Sequence, residues 1–176
     1  LESFGVVVYP EERRGNKWKA FQAAHEGQII VTEPEIATAL AMRNAVQSDP
    51  VASALLDGAG FQVPLYWRAH AVALKGRVDA LTPTALIDLK TTRNIGKRAF
   101  ASDAAKMLYH AQLGHYASGV EALTGTWPTV HIVAVENVPP YDVVVYDIDE
   151  DDVVRGLRRV EGWIERWKEA SANDYW

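Results

Sequence analysis

Apolar positions along this chain follow two rhythms. Three consecutive stretches, residues 61–69, 70–81 and 84–91, have the composition and punctuation of successive β-strands, with Thr82-Pro83 as the turn between the last two. So short a connection makes that pair antiparallel. The other rhythm is helical and is clearest near the end of the chain. From about Asp149 the apolar residues Val153, Leu157, Val160, Ile164 and Trp167 recur at spacings of four, three, four and three, one stripe of a single helix. Burying such a stripe contributes about 1.5–3 kcal/mol per large side chain. The acidic residues 149–152 crowd the helix start, where the helix dipole favours negative charge.

The remaining segments fill in an α/β pattern. A strand is expected over residues 4–9, ended by Pro10, and a short helix over residues 18–26, stopped by Gly27. Residues 29–31 are expected to be extended. Thr32-Glu33-Pro34-Glu35 then starts a helix running to about Ser48: Thr32 caps, Pro34 fits the first turn and Glu35 completes a capping box. Pro50 opens a second short helix, closed by Gly58 and Gly60. One long helix is expected over residues 98–123, ending near Gly125. Residues 130–136 and 143–146 form a hairpin around Asn137-Val138-Pro139-Pro140. No repeat, linker or low-complexity segment interrupts the chain, so one sheet flanked by helices in a single domain, residues 1–176, is the expected architecture.

Composition narrows the possibilities. A chain of 176 residues, 48% hydrophobic and 23% charged, suits one globular domain. The formal net charge of −5 gives no global positive field for nucleic acid, although a local groove can still be basic. There is no cysteine, which excludes disulfides and thiolate metal sites. No apolar run reaches 18 residues and no signal peptide is evident, so no membrane partner and a cytoplasmic location are expected.

Against this background one charged group stands out in the strand region: Gly76-Arg77-Val78-Asp79 and then Ile87-Asp88-Leu89-Lys90. Side chains two apart on a strand face the same way, so Asp88 and Lys90 share a face while Ile87 and Leu89 point into apolar packing on the other. Asp79 ends the antiparallel neighbour and can come within reach of Asp88. Two carboxylates that close repel unless a cation lies between them, and oxygen donors select Mg²⁺ or Mn²⁺. The bland alternative is a surface Asp88–Lys90 salt bridge. On the next helix Gln112 and Tyr116 are four apart and share a face; Tyr116 alone also fits a half-buried aromatic. No zinc spacing, P-loop or Gly-x-Ser-x-Gly element is present.

The order Gly76-x-x-Asp79, Asp88-x-Lys90-Thr91-Thr92, and a helix with Tyr109-His110-x-Gln112-x-x-x-Tyr116 resembles the PD-(D/E)XK nucleases. More narrowly, it resembles the RecE-type (exodeoxyribonuclease VIII-like) branch. Trp18-x-x-Phe21, Gly27, the Thr32–Glu35 helix start and Pro50 extend the likeness, which runs from about residue 18 to 125. The resemblance implies a restriction-endonuclease-like core with a mixed central sheet flanked by helices. It implies a Mg²⁺- or Mn²⁺-dependent exonuclease that degrades linear duplex DNA from the 5′ side in recombination or phage DNA processing. Asp79, Asp88 and the Leu89 backbone carbonyl would ligate the metal. Lys90 would orient or activate water, supported by Gln112 and Tyr116, and Arg77, Thr91 and Thr92 would meet DNA. A ring-forming homo-oligomer and a single-strand annealing protein are the implied partners, with the tryptophans and Tyr175-Trp176 available for an interface or for the core.

Two departures from the family pattern matter. The strand before the Asp hairpin carries Gln62 where that branch usually has an acidic residue, which bears on a second metal. The histidine usual upstream of a segment like Leu1-Glu2-Ser3-Phe4 is not present, so an N-terminal helical segment is expected to be missing, and restoring it is expected to raise activity. His25, at a helix end, reads as structural. Other readings are a RecB-like or CRISPR-adaptation nuclease, whose cysteine-held iron–sulfur version the absence of cysteine opposes, and an impaired nuclease fold serving as a DNA-binding or assembly module.

Overall fold

The structure is a computed structural model and describes residues 5–173. The expected strand start at Phe4, the segment Leu1–Phe4 and the aromatic tail Tyr175-Trp176 lie outside the described residues. The chain divides into two compact units, residues 1–44 and 45–176.

In the first unit, β1 (Val6–Tyr9) pairs in parallel with β2 (Ile29–Thr32), joined through α1 (Gly15–Ala24). Tyr9 is buried against Trp18 and Phe21, with ring centroids 5.0 and 4.9 Å away. His25 ends α1, stacks on Phe21 and donates through Nδ1 to the Phe21 carbonyl at 3.0 Å, a structural role. The start of α2 (Glu33–Ser48) shows half of the expected capping box: Glu35 Oε2 accepts from the Thr32 backbone N–H at 2.8 Å. The Thr32 hydroxyl donates to the same carboxylate, and Arg13 also binds it.

The second unit contains α3 (Pro50–Leu56), β3 (Gly60–Ala69), β4 (Val72–Leu81), β5 (Ala85–Thr92), α4 (Lys97–Lys106), α5 (Tyr109–Thr124), β6 (Thr129–Glu136), β7 (Val143–Ile148) and α6 (Glu150–Asn173). The five strands form one sheet in sequence order, β3 to β7. All pairs are antiparallel except β5–β6, which is parallel because α4 and α5 cross between them. This is the mixed sheet flanked by helices that the sequence implies.

Two apolar cores cover the sheet. One holds Leu65, Trp67, Val78, Leu86, Leu113, Ala117, Ile132 and Val153; the other holds Ala52, Ala80, Ala85, Ile87 and Val133. The α6 stripe docks as expected through Val153 and Val160, but Trp167, two turns further, is exposed.

Two expectations require correction. The strand expected from residue 70 begins at Val72, because His70 and Ala71, with φ of 51° and 63°, make a two-residue turn that pairs Ala69 with Val72. That turn needs positive φ twice, usually signalled by Asn-Gly, and His70-Ala71 gives no such signal. The single helix expected over residues 98–123 is two, broken at Leu108 (φ 57°). No glycine or proline marks the break. Packing sets it: Phe100 on α4 stacks on Tyr146 of β7, while α5 lies over β3, β4 and β5.

Candidate active site

The two middle strands fork at the candidate site. β4 and β5 pair only at Ala80–Ile87 and Leu81–Leu86, and the next step outward on each strand is Asp79 and Asp88. Where a further pair would form, the Leu89 backbone N–H instead donates to Asp79 Oδ2 at 3.0 Å. The opened ladder therefore brings two carboxylates together on rigid strands.

Asp88 is 1% exposed, the one charged side chain among the buried residues described. Burial pushes its carboxyl pKa above the ordinary value; Lys90 pulls it down and Asp79 pushes it further up. Lys90 Nζ lies 2.5 Å from Asp88 Oδ2. The approach is poorly aligned for a hydrogen bond, and no donor other than Lys90 reaches Oδ2. The pair is therefore a buried ion pair in which the ammonium is the one positive group on that oxygen.

Lys90 is held from three sides. It donates to Gln112 Oε1 at 3.0 Å and sits 4.7 Å from the centre of the Tyr109 ring, in addition to its contact with Asp88. Gln112 Nε2 in turn donates to the Tyr116 hydroxyl at 3.3 Å. The Tyr116 ring lies directly over Gly76: a Cβ there would fall 2.9 Å from two ring carbons. The glycine that opens Gly76-x-x-Asp79 is thus a place for the ring of the last motif residue, which ties β4 to α5.

On the other side of Asp79, Gln62 Nε2 donates to Oδ1 at 3.0 Å. Asp79, Asp88, Lys90, Gln112 and Tyr116 therefore form one connected cluster, with Gln62 added. Outside it are Arg77, exposed on β4, and Thr91, exposed on β5. Thr92 uses its hydroxyl in the turn at Asn94. The expectation that Leu89 packs into an apolar layer is not met: Ile87 is fully buried, but Leu89 is 39% exposed, because the fork leaves that face of β5 uncovered beyond Ile87. Tyr109, which has no assigned role in the sequence reading, touches Lys90; its spacing of three from Gln112 on one helix is the signal that could have shown it.

The donor set fits a hard divalent cation in part. A buried carboxylate oxygen met only by the Lys90 ammonium, beside a second carboxylate, has room among its donors for such an ion. Among the described residues, however, no three His, Cys, Asp or Glu side chains gather into a ligand group, so the donors available to an ion would be two carboxylates and backbone oxygen, with the neutral Gln62 amide on Asp79.

Comparison with known proteins bears on the family and the fold. Residues 11–176 match the family described as PDDEXK-like domain of unknown function (DUF3799). A crystal structure from Eubacterium rectale, of a protein provisionally named an exonuclease, is similar with a TM-score of 0.68 at 17% identity, over 85% of this chain. This chain spans 59% of the length of that one, and at such identity the likeness is one of fold. An alkaline exonuclease from Laribacter hongkongensis aligns over 97% of this chain and 95% of its own at 18% identity, with a TM-score of only 0.32. No curated protein matches significantly.

Proposed function

This chain belongs to the PDDEXK-like family DUF3799, and on that premise we propose that it is a divalent-cation-dependent exodeoxyribonuclease, RecE-like, that hydrolyses linear duplex DNA from 5′ ends. The observation that carries the reading is the buried Asp88 carboxylate, its Oδ2 met only by the Lys90 ammonium, beside Asp79 at the strand fork. A buried charge left without full hydrogen bonding is costly, and a cation-and-phosphate site gives that cost a use.

Asp79 and Asp88 would hold Mg²⁺ or Mn²⁺, with the Leu89 carbonyl as a third donor. When bound, the cation supplies Lewis-acid polarisation of the scissile phosphate and a lowered pKa for the attacking water. Lys90, immobilised by Gln112 and the Tyr109 ring, presents its ammonium to a non-bridging phosphate oxygen and orients the water. Gln112 and Tyr116 are positioning residues that act through Lys90. Arg77, Thr91 and Thr92 lie on the flanking surface, where they would meet the DNA backbone. A role in recombination or phage DNA processing, a ring-shaped homo-oligomer, a single-strand annealing partner and a cytoplasmic site of action belong to this same reading. Among the described residues no helix is long and apolar enough to cross a membrane.

The test is digestion of end-labelled linear duplex DNA in Mg²⁺, with closed circular DNA as control. Asp79→Ala, Asp88→Ala and Lys90→Ala should each reduce digestion by at least about a hundredfold, as loss of one preorganised charge at a reacting centre does, with the fold retained. Equal cleavage by the parent and Asp88→Ala would falsify the assignment. A second reading, an impaired nuclease fold that binds DNA without cutting it, is favoured by one observation, the neutral Gln62 beside Asp79. It predicts DNA binding with no Mg²⁺-dependent product.

A further inference from the structure

The β3–β4 ladder runs in one register from Gly60–Leu81 to Ala69–Val72 and omits a single pair, Gln62 opposite Asp79. At that step Gln62 takes φ 52°, a left-handed conformation that a residue with a Cβ rarely adopts. The inward-facing pattern of β4 slips at the same place. Val78 packs in one core and Ala80 in the other, whereas strict alternation would put both on one face. The kink is local to the carboxylate that opens the fork. An unusual backbone held at a site argues that its consequence is used.

The consequence is visible. The kinked Gln62 delivers its side-chain amide N–H to Asp79 Oδ1 at 3.0 Å, while the Leu89 N–H takes Oδ2. Both Asp79 oxygens are thereby oriented, and the side of Asp79 away from Asp88 is covered by a hydrogen-bond donor. A second divalent cation on that side would need an anionic ligand there. The amide instead presents positive hydrogen, and no third acid or histidine joins the group among the described residues.

We propose that Gln62 limits this site to one divalent cation, held between Asp79 and Asp88, because it places a neutral amide donor on the outer side of Asp79, where a second ion would need an anionic ligand. The proposal rests on the cation-binding reading above and deepens it: Gln62 is the residue that sets metal stoichiometry. Its replacement by Glu supplies the missing anionic ligand and opens a second position, at the roughly 3.5–4 Å separation of two-metal sites.

The experiment is Mn²⁺ titration of the intact chain by calorimetry, with electron paramagnetic resonance of the bound ion. The parent should bind one Mn²⁺ per chain with the spectrum of an isolated ion. Gln62→Glu should bind two and show the spin coupling of a close pair. Gln62→Gly, which tolerates the backbone angle but lacks the amide, should keep one site and lose about tenfold in affinity, as when a group orienting a metal ligand is removed. Two coupled ions in the parent overturn the inference while leaving the nuclease reading intact. So does unchanged stoichiometry in a folded Gln62→Glu, or unchanged affinity in Gln62→Gly. Mn²⁺ binding by Asp88→Ala equal to that of the parent sinks the cation-binding reading itself. Should Gln62→Glu not fold, the parent stoichiometry and the Gln62→Gly affinity still decide the matter.

Discussion

Asp88→Asn preserves the shape of one side chain, removes its charge, and separates what Asp88 does for the fold from what it does for a cation. In divalent-free buffer the variant should be as stable as the parent or more so. The carboxylate is 1% exposed with Lys90 as the one donor near its Oδ2, and burial, the largest influence on its ionisation, together with Asp79 keeps the carboxyl raised against the attraction of Lys90. Relieving such a group is worth on the order of 1–3 kcal/mol. Some of this is lost again because Lys90 gives up its counter-charge, although it keeps Gln112 and the Tyr109 ring. The net gain is about 0–2 kcal/mol, or up to roughly 8 °C in melting temperature for a chain of this length.

With cation at a hundred times its dissociation constant the order should reverse. The parent gains about 2.7 kcal/mol, roughly 5–11 °C, and Asp88→Asn gains almost nothing. The linkage sign agrees with this. The folded pKa of Asp88 is raised above 3.8, so its contribution to stability is fully present below that value and is lost as pH rises through the raised one. The variant lacks this loss. The assay is thermal unfolding of both proteins in EDTA and across a Mg²⁺ series. An Asp88→Asn protein that melts well below the parent in EDTA would show that the buried carboxylate stabilises the fold. One that gains as much from Mg²⁺ as the parent would show that the cation binds elsewhere.

Two further outcomes concern the frame around the site. Gly156→Ala should cost about 1–3 kcal/mol or more in urea unfolding, since its Cβ would lie 1.8 Å from the His110 carbonyl oxygen of α5. Gly162→Ala, on the same helix with nothing within 4 Å, should gain about 0.5–1 kcal/mol, and a comparable loss at both positions would remove close α5–α6 packing as the cause. Tyr146 donates to the Ile95 carbonyl, tying β7 to the segment after β5, and burial raises its phenol pKa above 10.0. Its contribution is therefore present below pH 10 and lost as pH rises through the raised value, so urea midpoints of Tyr146→Phe should fall less between pH 9 and 11 than those of the parent, and parallel curves would refute this.

What the sequence determined by itself is whatever local rules govern. The α6 stripe, the Thr32–Glu35 helix start, the antiparallel turn at Thr82-Pro83 and the shared face of Asp88 and Lys90 all follow from periodicity, capping and turn chemistry within a few residues. Those rules placed all five clustered residues on their strands and helix; the family likeness grouped the five as one site. The tertiary structure alone decided the rest. The break at Leu108 carries no glycine or proline and exists because α4 and α5 bury against different strands. Gly76 is a glycine because an aromatic ring forty residues away lies on it. Gln62 leaves the strand conformation to reach Asp79 across the sheet, although nothing near it in the chain demands that angle. Local preferences sum over neighbours in sequence, whereas an active site is assembled from groups that become neighbours only on folding, and there distant contacts outweigh the local rule.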